Sequence, residues 1–249
     1  MTAPEGTASQ HTQSTATGPL REDIPEFQSL GVRAFTTTRH AGTFGLAGPN
    51  PVGEVMARWT ELEGELSSNA RRVVIGRQVH GVRVLSHSGG WEGLLRTGEA
   101  DGHLATEKGI ALTVSVADCI PVFIAHALGA VAILHAGWRG TAGRIMDSGL
   151  QALARHKIPP DELMVHLGPG ICGRCYEVSA DVRAQLTGQP ANRTGNVDLR
   201  ALLAEQAQEA GVQKISVSAS CTRCDNDKFF SHRAGDTGRQ LGVIVASLW

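Results

Sequence analysis

The chain has 249 residues, 41% hydrophobic and 19% charged, with a formal net charge of -1; that length allows one large domain or two small ones around a substantial core. No basic excess advertises nucleic acid and no acidic run suggests a solvating tail, and aromatic residues at 4% are too few for a platform that stacks single strands.

Residues 1–22 are rich in Thr, Ser, Ala, Gly and Gln and lack periodic apolar positions, which predicts a disordered tail before a single catalytic domain over 23–249. Val32 to Thr38 reads as a strand. Gly42 to Gly53, with four glycines and two prolines, reads as loop, and Met56 to Leu66 carries a weak helical pattern. Val73 to Ile75 and Val82 to Leu85 are short strand candidates. Ile110 to Val116, Val122 to Ala125 and Ala130 to Leu134 are apolar runs bounded by turn signals, the pattern of buried strands. Gly140 to Arg155 follows as one helix, with Ile145, Leu150 and Leu153 on its apolar face. Leu163 to Leu167 is a strand. Asp198 is a good N-cap for a helix stopped by Gly211. Ile215 to Val217 and Leu241 to Leu248 are the last strands. Strands outnumber helices but the two are mixed, which predicts an α/β or α+β domain built on a large sheet system.

The longest apolar run, Ile120 to Ala136, is broken by Pro121, His126 and Gly129 and falls short of the roughly 18 residues of a membrane span. With no secretory signal pattern, a cytoplasmic location is expected, with no membrane and no nucleic-acid partner. Five cysteines, an odd number, read as reduced thiols or metal ligands.

Three turns carry strong metal ligands beside apolar strands: Gln78-Val79-His80-Gly81, Ala117-Asp118-Cys119 and His135-Ala136-Gly137. One thiolate and two imidazoles are an ordinary zinc set, and three protein ligands leave the open fourth position that catalytic zinc requires. Taken singly, Cys119 reads as a small core residue and each histidine as structural. Cys119 and His135 also fit a nucleophile and its base in a cysteine hydrolase, and spacing does not separate these readings.

At these residues the chain resembles the bacterial laccase-domain family, also called multicopper polyphenol oxidases. Its members have been reassigned as purine nucleoside phosphorylases with adenosine deaminase activity, and one branch is called peptidoglycan editing factor. The resemblance runs from Phe35-Thr36-Thr37-Thr38-Arg39 to Thr237-Gly238-Arg239-Gln240. Between them lie Ala100-Asp101-Gly102, the three turns above, Gly168-Pro169, Tyr176-Glu177-Val178 and Phe229-Phe230-Ser231-His232-Arg233 in the expected order. It implies an α/β sandwich of paired mixed sheets flanked by helices, similar to a toxin-like cysteine hydrolase. It also implies zinc on His80, Cys119 and His135; a thiolate with imidazoles would by its chemistry accept copper as the alternative ion. The loop His40 to Leu46 and the shortened Asn50 to Gly53 depart from the family pattern, which bears on substrate preference.

A phosphorolytic reaction needs an anion site, for which Arg39, Arg139 and Arg233 are candidates, with Gln78 and His232 as further substrate contacts. Deamination needs a proton shuttle, for which Asp118 and His232 are candidates; the bland role for Asp118 is to cap its turn. The expected partners are a purine nucleoside and phosphate, in a monomer or small homo-oligomer. The alternative is an amide hydrolase editing peptidoglycan precursors, with Cys119 as nucleophile or zinc hydroxide as attacker. A non-catalytic metal or nucleotide-binding module is a third reading. No His-x-His pair occurs, which excludes true laccase chemistry, and the cytidine-deaminase pattern is absent. Cys172-x-x-Cys175 and Cys221-x-x-Cys224 form two further pairs. Their 45-residue spacer (Cys175 to Cys221 exclusive) exceeds that of a compact zinc ribbon, and a second metal is not part of the family pattern.

Overall fold

In the computed structural model, which describes Gly18 and residues 20–248, the apolar runs become strands of two stacked sheets. The chain starts with β1 (Arg21–Asp23), β2 (Val32–Thr37), helix α1 (Val52–Leu66), β3 (Arg72–Arg77) and β4 (Val84–His87). It continues through β5 (Gly93–Glu99), β6 (Gly102–Ala105), β7 (Ile110–Val116), β8 (Ile120–His126) and β9 (Val131–Ala136). Helices α2 (Trp138–Ala142) and α3 (Ile145–Ala154) precede β10 (Leu163–Leu167), β11 (Glu177–Val178), α4 (Ala180–Thr187) and β12 (Gly195–Asn196). Helix α5 (Leu199–Glu209), β13 (Lys214–Val217) and β14 (Gln240–Ala246) complete it.

The first sheet has the order β1-β2-β14-β7-β3-β5 and the second β13-β10-β8-β9-β6-β4, while β11 and β12 form a small ribbon. Both large sheets are mixed: β3 is parallel to β5 and β7, β4 to β6, and β10 to β13. Side chains alternate along each strand. On β8, Ile120, Val122 and Ile124 pack with the α3 and α5 residues Ile145, Leu150 and Leu203, whereas Phe123 and Ala125 meet Leu112, Val114 and Ile244 of the opposite sheet. On β14, Val243 and Val245 turn outward beneath Trp59 and Leu62 of α1. The layers are therefore α1, first sheet, second sheet, then α3 and α5, in a single domain. Strands covered on both faces read as continuous apolar runs, which is why β7, β8 and β9 were evident from sequence.

Several expectations need correction. Most of the expected tail lies outside the described residues, but β1 begins at Arg21 and pairs with β2, Arg21 opposite Thr37. Backbone pairing orders this polar segment without an apolar pattern. Helix α1 begins at Val52, inside the expected loop, directly after Pro51. The expected helix from Gly140 is two helices, broken at Arg144, whose φ of 61° is left-handed. Strands β5 and β6 and helix α4 were not foreseen: β6 is Gly-His-Leu-Ala, fully buried yet without a β-branched residue. Asp198 caps α5 as expected, accepting from the amides of Arg200 and Ala201. Among the described residues no helix is long and apolar enough to cross a membrane.

One topological fact positions everything that follows. Strands β3, β5 and β7 lie parallel in the first sheet, so all three end on the same edge. From that edge each crosses to the second sheet, as β4, β6 and β8. Strand β9 returns to the same edge, its Ala136 opposite Ile120 of β8.

Candidate metal centre

The three crossovers deliver one functional side chain each. His80 lies on the β3–β4 crossover, Asp101 on the β5–β6 crossover, and Cys119 on the β7–β8 crossover, with His135 near the end of β9. Two of these corners are left-handed at non-glycine residues, His80 at φ 61° and Asp118 at φ 81°. Such a conformation costs of order 1–3 kcal/mol and persists where the surroundings hold it. Here the surroundings are visible: the fully buried Asp101 carboxylate accepts from the amides of Val79 (3.1 Å), His80 (2.9 Å) and Gly81 (2.7 Å). The same carboxylate bonds His135 Nδ1 at 2.8 Å. An ionised carboxylate only accepts, so Nδ1 carries the proton and Nε2 is left to face Cys119 and His80.

The ligand atoms of His80, Cys119 and His135 lie within 4.8 Å of one another, and the two imidazole rings meet edge to face at 4.8 Å. Gly137 allows this approach: a Cβ there would stand 2.8 Å from Cys119 Sγ and 3.1 Å from the His80 ring. Burial alone would push the Cys119 thiol up, but the charge of His135 and hydrogen bonds from His135 and His80 bring it down to about 6. Burial likewise opposes charge on His135, yet the Cys119 thiolate and Asp101 raise it to about 9. For Asp101, burial is outweighed by His135 and the Gly81 and Val79 amides, which lower its pKa. The donor set thus fits a divalent ion of the zinc type: one thiolate already favoured, two imidazoles converging, and a carboxylate behind one of them that fixes its tautomer.

The centre opens into a cavity of about 330 Å³ lined by His80, Asp118, Cys119, Tyr176, His232 and Arg233, with Trp138 and Arg139 also on its wall. Arg139 stacks over Trp138 at 4.4 Å and Arg233 over Tyr176 at 5.1 Å. Burial, then the negative Cys119, raise the Tyr176 phenol to about 12, so it stays protonated. Of the residues named from sequence, Arg139, His232 and Arg233 therefore share the cavity with His80 and Cys119, while His135 is buried and does not line it. Arg39 and Gln78 do not line it. Arg39 is committed to Asp236 (2.7 Å) and the Phe229 carbonyl (3.1 Å). The Gln78 amide pins β3 to β7 through the Ser115 backbone, both contacts at 2.8 Å. Asp118 lines the wall, but one carboxylate oxygen accepts from Thr222 Oγ1 (2.7 Å) and the other from the Arg233 amide (2.6 Å). Both oxygens are thus engaged by distant segments rather than by the amides of its own turn. Asp101 and Gly137 were missed as site residues, because nothing in residue type separates a buried carboxylate or a crowded glycine from ordinary turn residues.

Fold and site together define an α/β sandwich with a His-Cys-His ligand set at the seam between its sheets. The chain belongs to the family described as multi-copper polyphenol oxidoreductase laccase, whose model matches residues 36–247. It is 35% identical to a purine nucleoside phosphorylase of Deinococcus radiodurans, across 79% of this chain and 78% of that protein. It is 32% identical to adenosine deaminase RL5 of an unknown prokaryotic organism, across 86% and 90%. The crystal structure of YlmD from Geobacillus stearothermophilus superposes with a TM-score of 0.82 at 28% identity, covering 94% of this chain and 99% of that one.

Proposed function

We propose that this chain is a zinc-dependent purine nucleoside phosphorylase, taking adenosine, inosine or methylthioadenosine, with adenosine deaminase activity as a second reaction. The observation that carries the reading is the convergence of His80, Cys119 and His135, the first two of them lining a cavity whose wall holds Arg139, Arg233 and His232. The relatives named for these two reactions support it. Zinc held by the three ligands would supply Lewis acidity and an activated water near neutral pH. Copper competes for the same donors by affinity.

The protein's own groups have defined tasks. Arg139 and Arg233 receive phosphate, their guanidinium planes preset by stacking on Trp138 and Tyr176. The protonated Tyr176 donates to the nucleoside. His232 stands on the wall where a leaving purine needs a proton. Asp118 ties the Cys119 corner to Thr222 and Arg233.

A second reading has its own observation. Cys119, His135 and Asp101 form a nucleophile, base and orienting carboxylate in sequence, with His135 bonded to Asp101 at 2.8 Å. That is the arrangement an amide hydrolase uses. It motivates attack by the Cys119 thiolate on a peptidoglycan-precursor amide.

Metal content and adenosine turnover, with and without phosphate, on the intact chain and on Cys119→Ala, decide between them. Phosphate-dependent release of adenine, lost together with one zinc per chain in Cys119→Ala, is the expected result. Zinc without nucleoside turnover would overturn the substrate assignment. Phosphate-independent cleavage of a muramyl peptide would establish the second reading.

A further inference from the structure

The two Cys-x-x-Cys pairs form a separate cluster and carried little weight on sequence, because 45 residues separate Cys175 from Cys221 (exclusive) and a second metal is not part of the family pattern. The fold removes the first objection. Strands β10 and β13 run parallel with Leu167 opposite Val217, so the chain leaves both at the same end. The pairing continues beyond the strands: Ser218 donates to Leu167 (2.8 Å), Thr222 to Gly170 (3.2 Å), and Gly170 bridges Cys221. Each pair sits on a tight turn. The amides of Cys175 and Tyr176 both donate to the Cys172 carbonyl, at 2.9 and 3.1 Å. In the other turn Asp225 accepts from the Cys221 amide through its carboxylate (2.9 Å) and returns its own amide to the Cys221 carbonyl (2.8 Å).

The result is four sulfurs within 4.8 Å of one another, with Cys175 and Cys224 at 3.5 Å. A tetrahedral four-thiolate ion with bonds of about 2.3 Å spaces its sulfurs by about 3.8 Å. A disulfide requires about 2.05 Å, and all four cysteines are free. Backbone amides also point at sulfur: those of Cys172 and Cys224 approach Cys221 Sγ at 3.2 and 3.5 Å. Amide bonds to sulfur are the outer contacts that orient and stabilise a ligating thiolate.

We propose that Cys172, Cys175, Cys221 and Cys224 hold a second, structural zinc ion in a closed four-thiolate site. A closed set with no vacant position binds and staples rather than catalyses. What it staples is the far wall of the cavity. Ile171, next to Cys172, donates its amide to the Asp118 carbonyl (2.9 Å), and Thr222, next to Cys221, donates its hydroxyl to Asp118 Oδ1 (2.7 Å). The ion thereby fixes two turns that grip the corner carrying Cys119. The proposal does not depend on which substrate the cavity takes.

The test is zinc stoichiometry by native mass spectrometry on the full chain, prepared under reduction without chelator. Two ions per chain are expected for the natural sequence, one for Cys119→Ala, and one for Cys224→Ala, with Cys224→His restoring two. Should the Cys224 variants fail to fold, cobalt loading of Cys119→Ala, which leaves all four cysteines intact, gives the answer. One tightly held cobalt with intense tetrahedral and sulfur-to-metal charge-transfer bands is the expected spectrum. A single zinc in the natural protein that disappears with Cys119→Ala, and no such cobalt spectrum in Cys119→Ala, would overturn the proposal. So would disulfides found among these four residues in the reduced preparation.

Discussion

At Asp101 four hydrogen bonds converge on a carboxylate with no solvent exposure, three from the His80 turn and one from His135. Replacement by Asn keeps the shape but removes the charge and puts a donor where only acceptors fit. Asp101→Asn is expected to weaken metal binding by about 10–100-fold, the usual effect of losing such an outer contact, with the fold retained. Chelator competition measures it, and unchanged affinity would remove Asp101 from the site. Gly137 offers a steric counterpart. A methyl group 2.8 Å from Cys119 Sγ and 3.1 Å from the His80 ring must displace a ligand, so Gly137→Ala is expected to purify with the metal of this centre lost and its turnover reduced with it. Full metal content in that variant would mean that the corner has slack the geometry does not suggest.

At the scale of elements, β1 shows how a polar strand is held. Glu22 accepts from Ser218 (2.9 Å), Ser220 (3.1 Å) and Lys228, binding the first strand to the segment that carries Cys221. Burial would raise its pKa, but Lys228 and the serines outweigh that and hold it below the ordinary glutamate value. A depressed carboxylate stabilises the folded state fully above its unfolded pKa, and the gain is lost as pH falls through the folded value. Replacing Glu22 by Gln should therefore lower stability near pH 7 by about 1 kcal/mol, a partly exposed charge being discounted for screening. The gap to the natural protein should close as the pH falls below the ordinary glutamate range and through the depressed value of Glu22. Thermal melts of both proteins from pH 3 to 7 test the sign, and a gap that stays constant or widens in acid would refute it.

For the whole molecule, Phe123 is fully buried between the sheets among Leu112, Val114 and Ile244, beside His166 at 6.1 Å. Since both sheets rest on this layer, Phe123→Ala is expected to cost about 3–5 kcal/mol, read from the urea midpoint. Because β8 carries Cys119 just before its first residue, metal binding should respond in the same variant. A loss below about 1 kcal/mol, within the range of surface substitutions, would mean that the inter-sheet layer is not the core it resembles.

Much of this was written in one dimension. Strands such as β7, β8 and β9 are buried on both faces and advertise themselves as apolar runs, and the Asp198 cap and Gly211 stop mark α5 by local chemistry alone. His80, Cys119 and His135 stood out as donors at turns beside such strands, but spacing left their role open; the resemblance singled them out as a set, and the fold brings their ligand atoms within 4.8 Å of one another. What remained hidden depends on pairing between distant segments. The order of β1, β5 and β6, the role of Asp101, and the departure of Arg39 and Gln78 from the cavity wall follow from which strands lie side by side. The same holds for the two cysteine pairs with 45 residues between them, whose sulfurs meet only because β10 and β13 are parallel neighbours. Local sequence sets which residues can turn, cap or bury; contacts across tens of residues are decided by the packing of the two sheets, where loop-closure entropy is repaid only once the whole core has formed.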